Sequence, residues 1–398
     1  MIRFQKNIVV RVIPLILLVG FLFAGCKSDE FKPEDSFIKV YDHSDINRNY
    51  FPLGMTTTSD NGYLIMSAYD GNRIHLLKTN ELGDFLWEYD LPEQFTSAIP
   101  NLIEKNGTVY FMCMDAVGLF TYVMQVDEGA QNASVYQPFS SILYPLAWTD
   151  NGNSVYIQNY ERNILSTGVY ELNGTLDQVV DSADLEIYVD VELEIIDHLN
   201  YTGKRFPFFI TTTPESDYIV FNGFNNYSFS SVFLDASMDF SGVYSGAAFD
   251  GGLNAMLPLG GNQFALSRFS FSDIYTNPNV SLSPTALDVA ESIPSVWASE
   301  LDSEAPILIK NLSVNGTEYA AYLATTKSNQ LVLSLYSKTT GELAASKYIG
   351  ESVPMQGCDF LETPDGGLMI LTQATVMSSF NRIATIKLSK EELELLLD

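Results

Sequence analysis

One phrase recurs along the chain: a run of apolar residues, a turn made of Asp, Asn or Gly, and a second apolar run opened by an aromatic or aliphatic residue. The clearest pair sets Phe51-Pro52-Leu53-Gly54-Met55-Thr56-Thr57-Thr58 and Tyr63-Leu64-Ile65 against Phe206-Pro207-Phe208-Phe209-Ile210-Thr211-Thr212-Thr213 and Tyr218-Ile219-Val220. Runs of roughly 4–8 β-branched and aromatic residues bounded by turn residues are what packed strands require. Further turns stand at Lys105-Asn106-Gly107, Asp150-Asn151-Gly152, Gly260-Gly261-Asn262, Val314-Asn315-Gly316 and Asp365-Gly366-Gly367, which makes seven hairpins. Asn-Gly and Asp-Gly pairs tolerate the positive φ of a two-residue hairpin turn, so each copy is a hairpin signal with a mechanism.

Counted from Gly62, successive turns are spaced by 45, 45, about 65, 44, 55 and 50 residues. Several strands per repeat at such a period is the signature of a propeller blade, and the long third interval must hold an insertion. The first repeat supplies four strands, at Gly54 to Thr58, Tyr63 to Ala68, Arg73 to Thr79 and Leu86 to Leu91. The last supplies three, at Cys358 to Glu362, Leu368 to Thr372 and Arg382 to Leu388, before a short acidic helix over 390–397 opened by a capping box from Ser389 to Glu392. An unpaired apolar strand, Phe37-Ile38-Lys39-Val40-Tyr41, precedes the first repeat. Pairing it with the last blade closes the ring and removes open sheet edges. The predicted fold is therefore all-β, a single seven-bladed β-propeller of four-stranded antiparallel blades over 36–398. Blades bury their faces only against each other, so no internal domain boundary is expected.

The chain opens differently. Arg3, Lys6 and Arg11 precede an apolar run from Val12 to Ala24, which at 13 residues is shorter than the roughly 20 a spanning helix needs. The run ends in Phe23-Ala24-Gly25-Cys26, which resembles the lipobox of bacterial lipoproteins. That resemblance implies cleavage after residue 25, a diacylglyceryl group on Cys26, and a flexible lipidated tether over 26–35. Two or more acyl chains anchor a protein durably. Lys27-Ser28-Asp29-Glu30 is similar to the export tag of Bacteroidota surface lipoproteins, and equally reads as a solvated tether. The implied location is the cell envelope, with the outer membrane as the anchor.

Losing the three basic residues of the export segment takes the formal charge from −28 to −31. Such a field repels nucleic-acid phosphates, so no nucleic-acid partner is expected. With Cys26 lipidated, Cys113 and Cys358 remain inside apolar runs and read as buried free thiols.

In blade one, Asp60-Asn61-Gly62-Tyr63-Leu64-Ile65 followed by Leu82-Gly83-Asp84-Phe85-Leu86-Trp87 resembles a repeat of Bacteroidota lipoprotein propellers, within the architecture shared by kelch and quinoprotein-like propellers. Two insertions, about 182–205 and 269–306, fall in or near connections on one face, which is therefore elaborated. The first contains a period-two alternation from Leu185 to Ile195, read as a strand, although Leu185, Val189, Leu193 and Ile196 also fit a helix. The pairing of the outer strands of blade five is not legible. Loops on the elaborated face carry Tyr69, Arg73, Tyr160, Arg162, Asn225, Tyr227 and Tyr275, the rings, amides and guanidinium groups that sugar- and peptide-binding surfaces use. The alternative is that these residues order their own loops.

Catalysis has thin support. The chain holds three histidines, His43, His75 and His198, and no Gly-x-Ser-x-Gly elbow, His-Glu-x-x-His, paired Cys-x-x-Cys or sialidase-type Asp-box. Tryptophans stand only at 87, 148 and 297, too few for quinone-docking repeats, and phosphate-cradling glycine loops are missing, so no cofactor and no metal are implied. The expectation is a non-catalytic binding protein for a glycan, a peptide or an envelope protein. The alternatives are a carbohydrate-active enzyme using carboxylates near the central channel and a structural subunit of an envelope complex.

Overall fold

The computed structural model describes residues 32–42, 47–214, 217–350, 353–377 and 379–398. Residues 1–31, which hold the predicted export segment, Cys26 and most of the predicted tether, and His43 lie outside the described residues.

In the first repeat, Tyr50–Thr57, Tyr63–Tyr69, Arg73–Thr79 and Phe85–Asp90 form one antiparallel sheet in sequence order. The second strand is buried at every position and the third at all but its first. Both faces are covered by neighbouring sheets, which is why these strands read as continuous apolar runs instead of alternating. Six more sheets follow. Their innermost strands are Pro145–Asp150, Phe209–Thr212, Gly251–Gly260, Leu308–Val314 and Met355–Glu362, and in blade 2 the inner position is split between Phe95–Thr96 and Ile103–Lys105. The ring closes as expected: Phe37–Tyr41 pairs antiparallel with Phe380–Leu388, Lys39 opposite Thr385, and becomes the outer strand of blade 7. The molecule is a seven-bladed β-propeller.

The turns are less uniform than their sequences. Asn106 and Gly107 (φ 54° and 79°), like Asn315 and Gly316 (51° and 73°), are two-residue turns with both positions left-handed. In the first hairpin of blade 1, Thr58 to Gly62, only Asn61 is left-handed, at 62°. Gly62 is needed for another reason, because a Cβ there would lie 2.2 Å from the Thr79 carbonyl and 2.4 Å from Lys78 Nζ. The approach is close because Lys78, buried among the strands, donates to both oxygens of Asp60 (2.8 and 2.9 Å) and to the Thr79 carbonyl (3.0 Å). Thr58 Oγ1 donates to the same carboxylate at 2.6 Å. Blade 7 repeats the device with Thr363, Asp365 and the buried Lys387. A hairpin carboxylate held by a lysine from the third strand pins the turn to its blade.

Burial pushes the Asp60 carboxyl up, but its bonds to Lys78, Thr58 and the Gly62 N–H outweigh that and hold it at about 2. A carboxyl lowered on folding contributes stability that is complete above the unfolded value near 3.8 and is lost as the pH falls through about 2. Replacing Asp60 by Asn is expected to cost about 2 kcal/mol at pH 7, less than a fully buried pair because the carboxylate is half exposed. Urea unfolding at pH 7, 4 and 2.5 checks this: the difference between the Asp60→Asn variant and the parent shrinks toward the lowest pH.

The insertions depart from expectation. The strand predicted from Leu185 to Ile195 ends at Glu186; Ile187 makes a single bridge to Asn226, and a helix, α1, runs Glu192–Leu199. Asp190 Oδ1 accepts the Glu192 N–H at 3.0 Å, so a carboxylate supplies the first acceptor of the helix and the period-two pattern is overridden. The buried set is Val191, Ile195, His198 and Leu199, one helical face, while Leu193 is exposed. In the second insertion, Leu287–Val289 leaves blade 5 to run parallel to the outer strand Phe240–Ser245 of blade 4, and Val296–Trp297 returns to pair with Tyr275 and Thr276 as the outer strand of blade 5.

The C-terminal helix α2 spans Lys390–Leu395, with Ser389 Oγ accepting the Glu392 N–H. The reciprocal half of the predicted box is different. Ser36 accepts the Ser389 N–H and donates to the Glu392 carboxylate, tying the two ends of the domain together. Cys113 is buried and Cys358 half-buried, both as free thiols. No helix among the described residues is long and apolar enough to cross a membrane.

Candidate ligand-binding face

Hairpins between second and third strands, and the connections between blades, lie on one face. The connection from blade 3 to blade 4 carries α1 and then crosses the ring. Asn200 Oδ1 accepts from Asn72 Nδ2 of blade 1 at 2.7 Å, and the Tyr201 ring stacks on Phe51 of the same blade at 5.0 Å and 28°. Arg205 lies 3.9 Å from the centroid of the Tyr201 ring, and Lys204 reaches Asp250, in the blade 4–5 connection, at 2.9 Å. Because blades 1 and 4 stand on opposite sides of a seven-membered ring, this segment lies across the mouth of the channel.

The crossing is anchored on rings. Phe206, Phe208, Phe224, Phe229 and Phe249 pack with centroids 5.0 to 6.4 Å apart, and His198 meets Phe208 edge-on at 4.9 Å. The Phe206 N–H donates to His198 Nδ1 at 3.0 Å, which requires a neutral imidazole. Burial among these rings, helped by Arg205, lowers its pKa well below 6.5. A histidine depressed on folding contributes stability that is full above about 6.5 and is lost as the pH falls below it. The parent is expected to lose stability between pH 7 and pH 5, and the His198→Gln variant, which keeps an acceptor without the titration, to show a shallower slope in thermal melts over that range.

A second polar cluster sits at the ring-closure seam. His75 Nδ1 contacts Asp90 Oδ1 at 2.7 Å, and Arg48 donates to Asp90 Oδ2 at 2.8 Å. Burial pushes Asp90 up, but His75 and Arg48 hold it at about 2. A buried His–Asp pair resembles half of a catalytic triad, yet His75 is only 2% exposed and is packed against Tyr50 at 4.9 Å, which leaves no room for a substrate. The pair joins the third and fourth strands of blade 1, and Arg48, whose carbonyl accepts from Arg382 of blade 7, ties it to the seam.

Tyr69 belongs to this seam, buried, with Arg48 at 4.3 Å and Arg73 at 5.4 Å from its ring. Arg73 also pairs with Glu93 at 3.0 Å. Tyr160 is buried too, its hydroxyl 3.4 Å from Asp190; Arg162 pairs with Glu192 at 3.4 Å, and Tyr144 donates to the same carboxylate at 2.7 Å. These groups hold the start of α1. Asn225 is buried in strand register with Ser228, and Tyr227, 63% exposed, stacks on Tyr188 at 5.2 Å and 30°. Tyr275 is half-buried beneath the Arg268 guanidinium, in register with the exposed Trp297. The seven residues thus fall into four places around the rim, and only Tyr227 and Tyr275 lie beside open ring surface. Tyr188, Arg268 and Trp297 complete those two places; cross-strand register, which no spacing in the sequence reveals, brings them in.

No protein-family model matches the chain, and no curated protein matches it in sequence. In three dimensions it is similar to hydrazine synthase of Kuenenia stuttgartiensis, at 11% identity and a TM-score of 0.48 over 83% of this chain and 94% of that one. It is similar also to a proposed 6-phosphogluconolactonase of Bacteroides fragilis, at 14% identity and a TM-score of 0.45 over 86% and 95% of the two chains.

On the opposite face an open polar cleft of about 860 Å³ lies between blades 5 and 6, lined by Gln263, Asn279, Thr317, Glu318 and Lys338 among others. Its groups already serve each other: Lys338 pairs with Glu318 at 3.1 Å, and Asn279 Nδ2 donates to the carbonyls of Lys338 and Thr339. Among the described residues no group of three or more His, Cys, Asp or Glu side chains is placed to hold a metal ion.

Proposed function

We propose that the protein is a lipid-anchored envelope lipoprotein whose propeller binds, without turning over, a glycan, a peptide or another envelope protein on the face built by the two insertions. The observation that carries this reading is the exposed, stacked pair Tyr188 and Tyr227 on that face, together with the exposed Trp297 beside Tyr275. Aromatic faces held rigid by a folded scaffold bind planar or apolar ligand surfaces at small entropic cost. Anchoring rests on the lipobox-like residues ending in Cys26 and the resemblance to Bacteroidota surface lipoproteins at Lys27 to Glu30. The enzyme alternative needs a free pair of carboxylates in the channel. Asp359, the buried inner-strand carboxylate, is instead committed to Lys310 and to the Met55 N–H.

A glycan array and an envelope pull-down with the soluble form beginning at Lys27 test the binding. Tyr188→Ala and Tyr227→Ala are each expected to weaken a ligand held there by roughly tenfold. Binding unchanged in both and in Trp297→Ala, or release of product from a bound glycan, contradicts the reading. Labelling with an alkyne fatty acid tests the anchor, with incorporation expected in the parent and none in Cys26→Ser.

A further inference from the structure

One place on the elaborated face has the chemistry of a specific subsite, and the inference drawn from it rests on the binding reading above. Arg268 stands on the second strand of blade 5, opposite Leu253 on the inner strand and Tyr275 on the third; Tyr275 in turn is opposite Trp297 on the outermost. Register partners project from the same side of a sheet, so these four make one row from channel to rim. Exposure rises along it, from the sealed Leu253 through Arg268 at 9% to Trp297 at 57%. The guanidinium extends outward over the Tyr275 ring, 4.0 Å from its centroid.

Arg268 is unusual in how little it is given. Its Nε donates to Ser295 Oγ at 2.8 Å, and that hydroxyl is fixed as an acceptor by its own bond to the Ile293 carbonyl. Among the described residues the two Nη nitrogens meet no acceptor and no carboxylate, yet they are not sealed from solvent. Burial accordingly pushes this guanidinium down from its usual range, although Tyr275 and Glu291 oppose the shift. In a chain of formal charge −28 a nine-tenths-buried arginine with no carboxylate in ion-pair contact, Glu291 acting only at longer range, is costly to keep.

The Nη edge of a guanidinium is a planar fork matched to a carboxylate. One strand outward from Tyr275, and so two from Arg268 at about 4.8 Å per strand, the Trp297 indole is oriented by its Nε1 bond to Asp273 at 3.1 Å and is more than half exposed. A fork beside an oriented indole fits a pyranose that bears a carboxylate. An extended peptide is less well served, since Val296–Trp297 offers only a two-residue strand to pair with.

We propose that Arg268, Tyr275 and Trp297 form a subsite for an acidic sugar, the carboxylate of a hexuronic acid lying in the Arg268 fork and its pyranose ring against Trp297. The test is calorimetric titration of the soluble form beginning at Lys27 with trigalacturonate, with the neutral galactotriose, and with a short peptide ending in a free carboxylate. The expected result is binding of trigalacturonate at least tenfold tighter than of either comparator. Arg268→Gln is expected to lose at least tenfold, Arg268→Lys to restore only part of it, and Trp297→Ala to lose roughly fivefold, while Lys338→Gln, in the cleft on the opposite face, leaves it unchanged. Trp297→Ala alters an exposed side chain and decides the matter if the Arg268 variants unfold. Equal affinity for acidic and neutral sugars, or no effect of Arg268→Gln in a folded variant, overturns the acidic-sugar subsite and leaves the binding reading standing. Tighter binding of the peptide, lost in Arg268→Gln, overturns the sugar class. Absence of any ligand on this face in the array and the pull-down overturns both.

Discussion

A chain that begins at Asp42, without Phe37–Tyr41, is expected not to accumulate as a folded monomer. Five register pairs join that strand to Phe380–Leu388, and Phe37 is buried against the core shared by blades 7 and 1. At about 1 kcal/mol net for each ladder hydrogen bond and about 2 kcal/mol for one buried aromatic side chain, the loss is on the order of 6 kcal/mol. That is comparable with the whole stability of an ordinary domain, roughly 5–15 kcal/mol. Other ties go with it, including the Tyr41 hydroxyl bond to the Gly83 carbonyl at 2.9 Å and the Lys39–Asp84 pair at 2.7 Å, which fasten blade 7 to blade 1. The bared edge of Phe380–Leu388 would also pair with other chains. Size-exclusion chromatography is expected to find aggregate or degraded chain. The single change Phe37→Ala, which keeps the ladder, is expected to leave a monomer weakened by about 3 kcal/mol in urea. A fully stable truncated monomer would mean that the ring does not depend on its closure.

Asp359→Ala is expected to be the most damaging substitution near the channel. One carboxylate joins three blades. Its Oδ2 accepts the Met55 N–H of blade 1 at 2.9 Å, its Oδ1 accepts from Lys310 of blade 6 and from the Phe360 N–H, and Lys310 also donates to the Phe360 carbonyl at 3.0 Å. With the carboxylate gone, a buried N–H has no acceptor and Lys310 has no counter-ion, a loss of about 3–5 kcal/mol for a pair of this kind. Asp359→Asn retains an acceptor oxygen for Met55 and is expected to lose about half as much. The same pair separates binding from catalysis. If Asp359 served a hydrolytic reaction, Asp359→Asn would abolish turnover with little effect on unfolding; as a structural tie it lowers the unfolding free energy and leaves ligand affinity unchanged.

The blade count and closure were legible because they depend on local chemistry: turn residues at Asn106-Gly107 and Asn315-Gly316, continuous apolar runs such as Tyr63 to Ala68, and one strand left over at Phe37 to Tyr41. What failed was whatever a distant contact decides. The stretch from Leu185 to Ile195 alternates like a strand, but Asp190 accepts the first N–H of a helix whose buried face rests on rings from blade 4. The outer strand of blade 5 was illegible because Leu287–Val289 pairs with blade 4 before the chain returns. For the candidate site, the elaborated face was legible from where the insertions fall. Which of its rings are open was not: Tyr69 and Tyr160 lie in polar, turn-adjacent sequence like that of Tyr227, yet they are sealed beneath Arg48 and beside Asp190 respectively. Arg268 gave no signal at all, since its importance lies in acceptors that are missing around it.

The most direct test of a binding face outside the channel is hydrogen exchange of the soluble chain with and without the strongest-binding oligosaccharide from the array. The predicted result is added protection at the hairpins around 226–227 and 271–273 and along 187–205, with the inner strands unchanged. Protection confined to the inner strands around Lys310 and Asp359, or to the turns at 260–263, 316–318 and 338–339 on the opposite face, would contradict it.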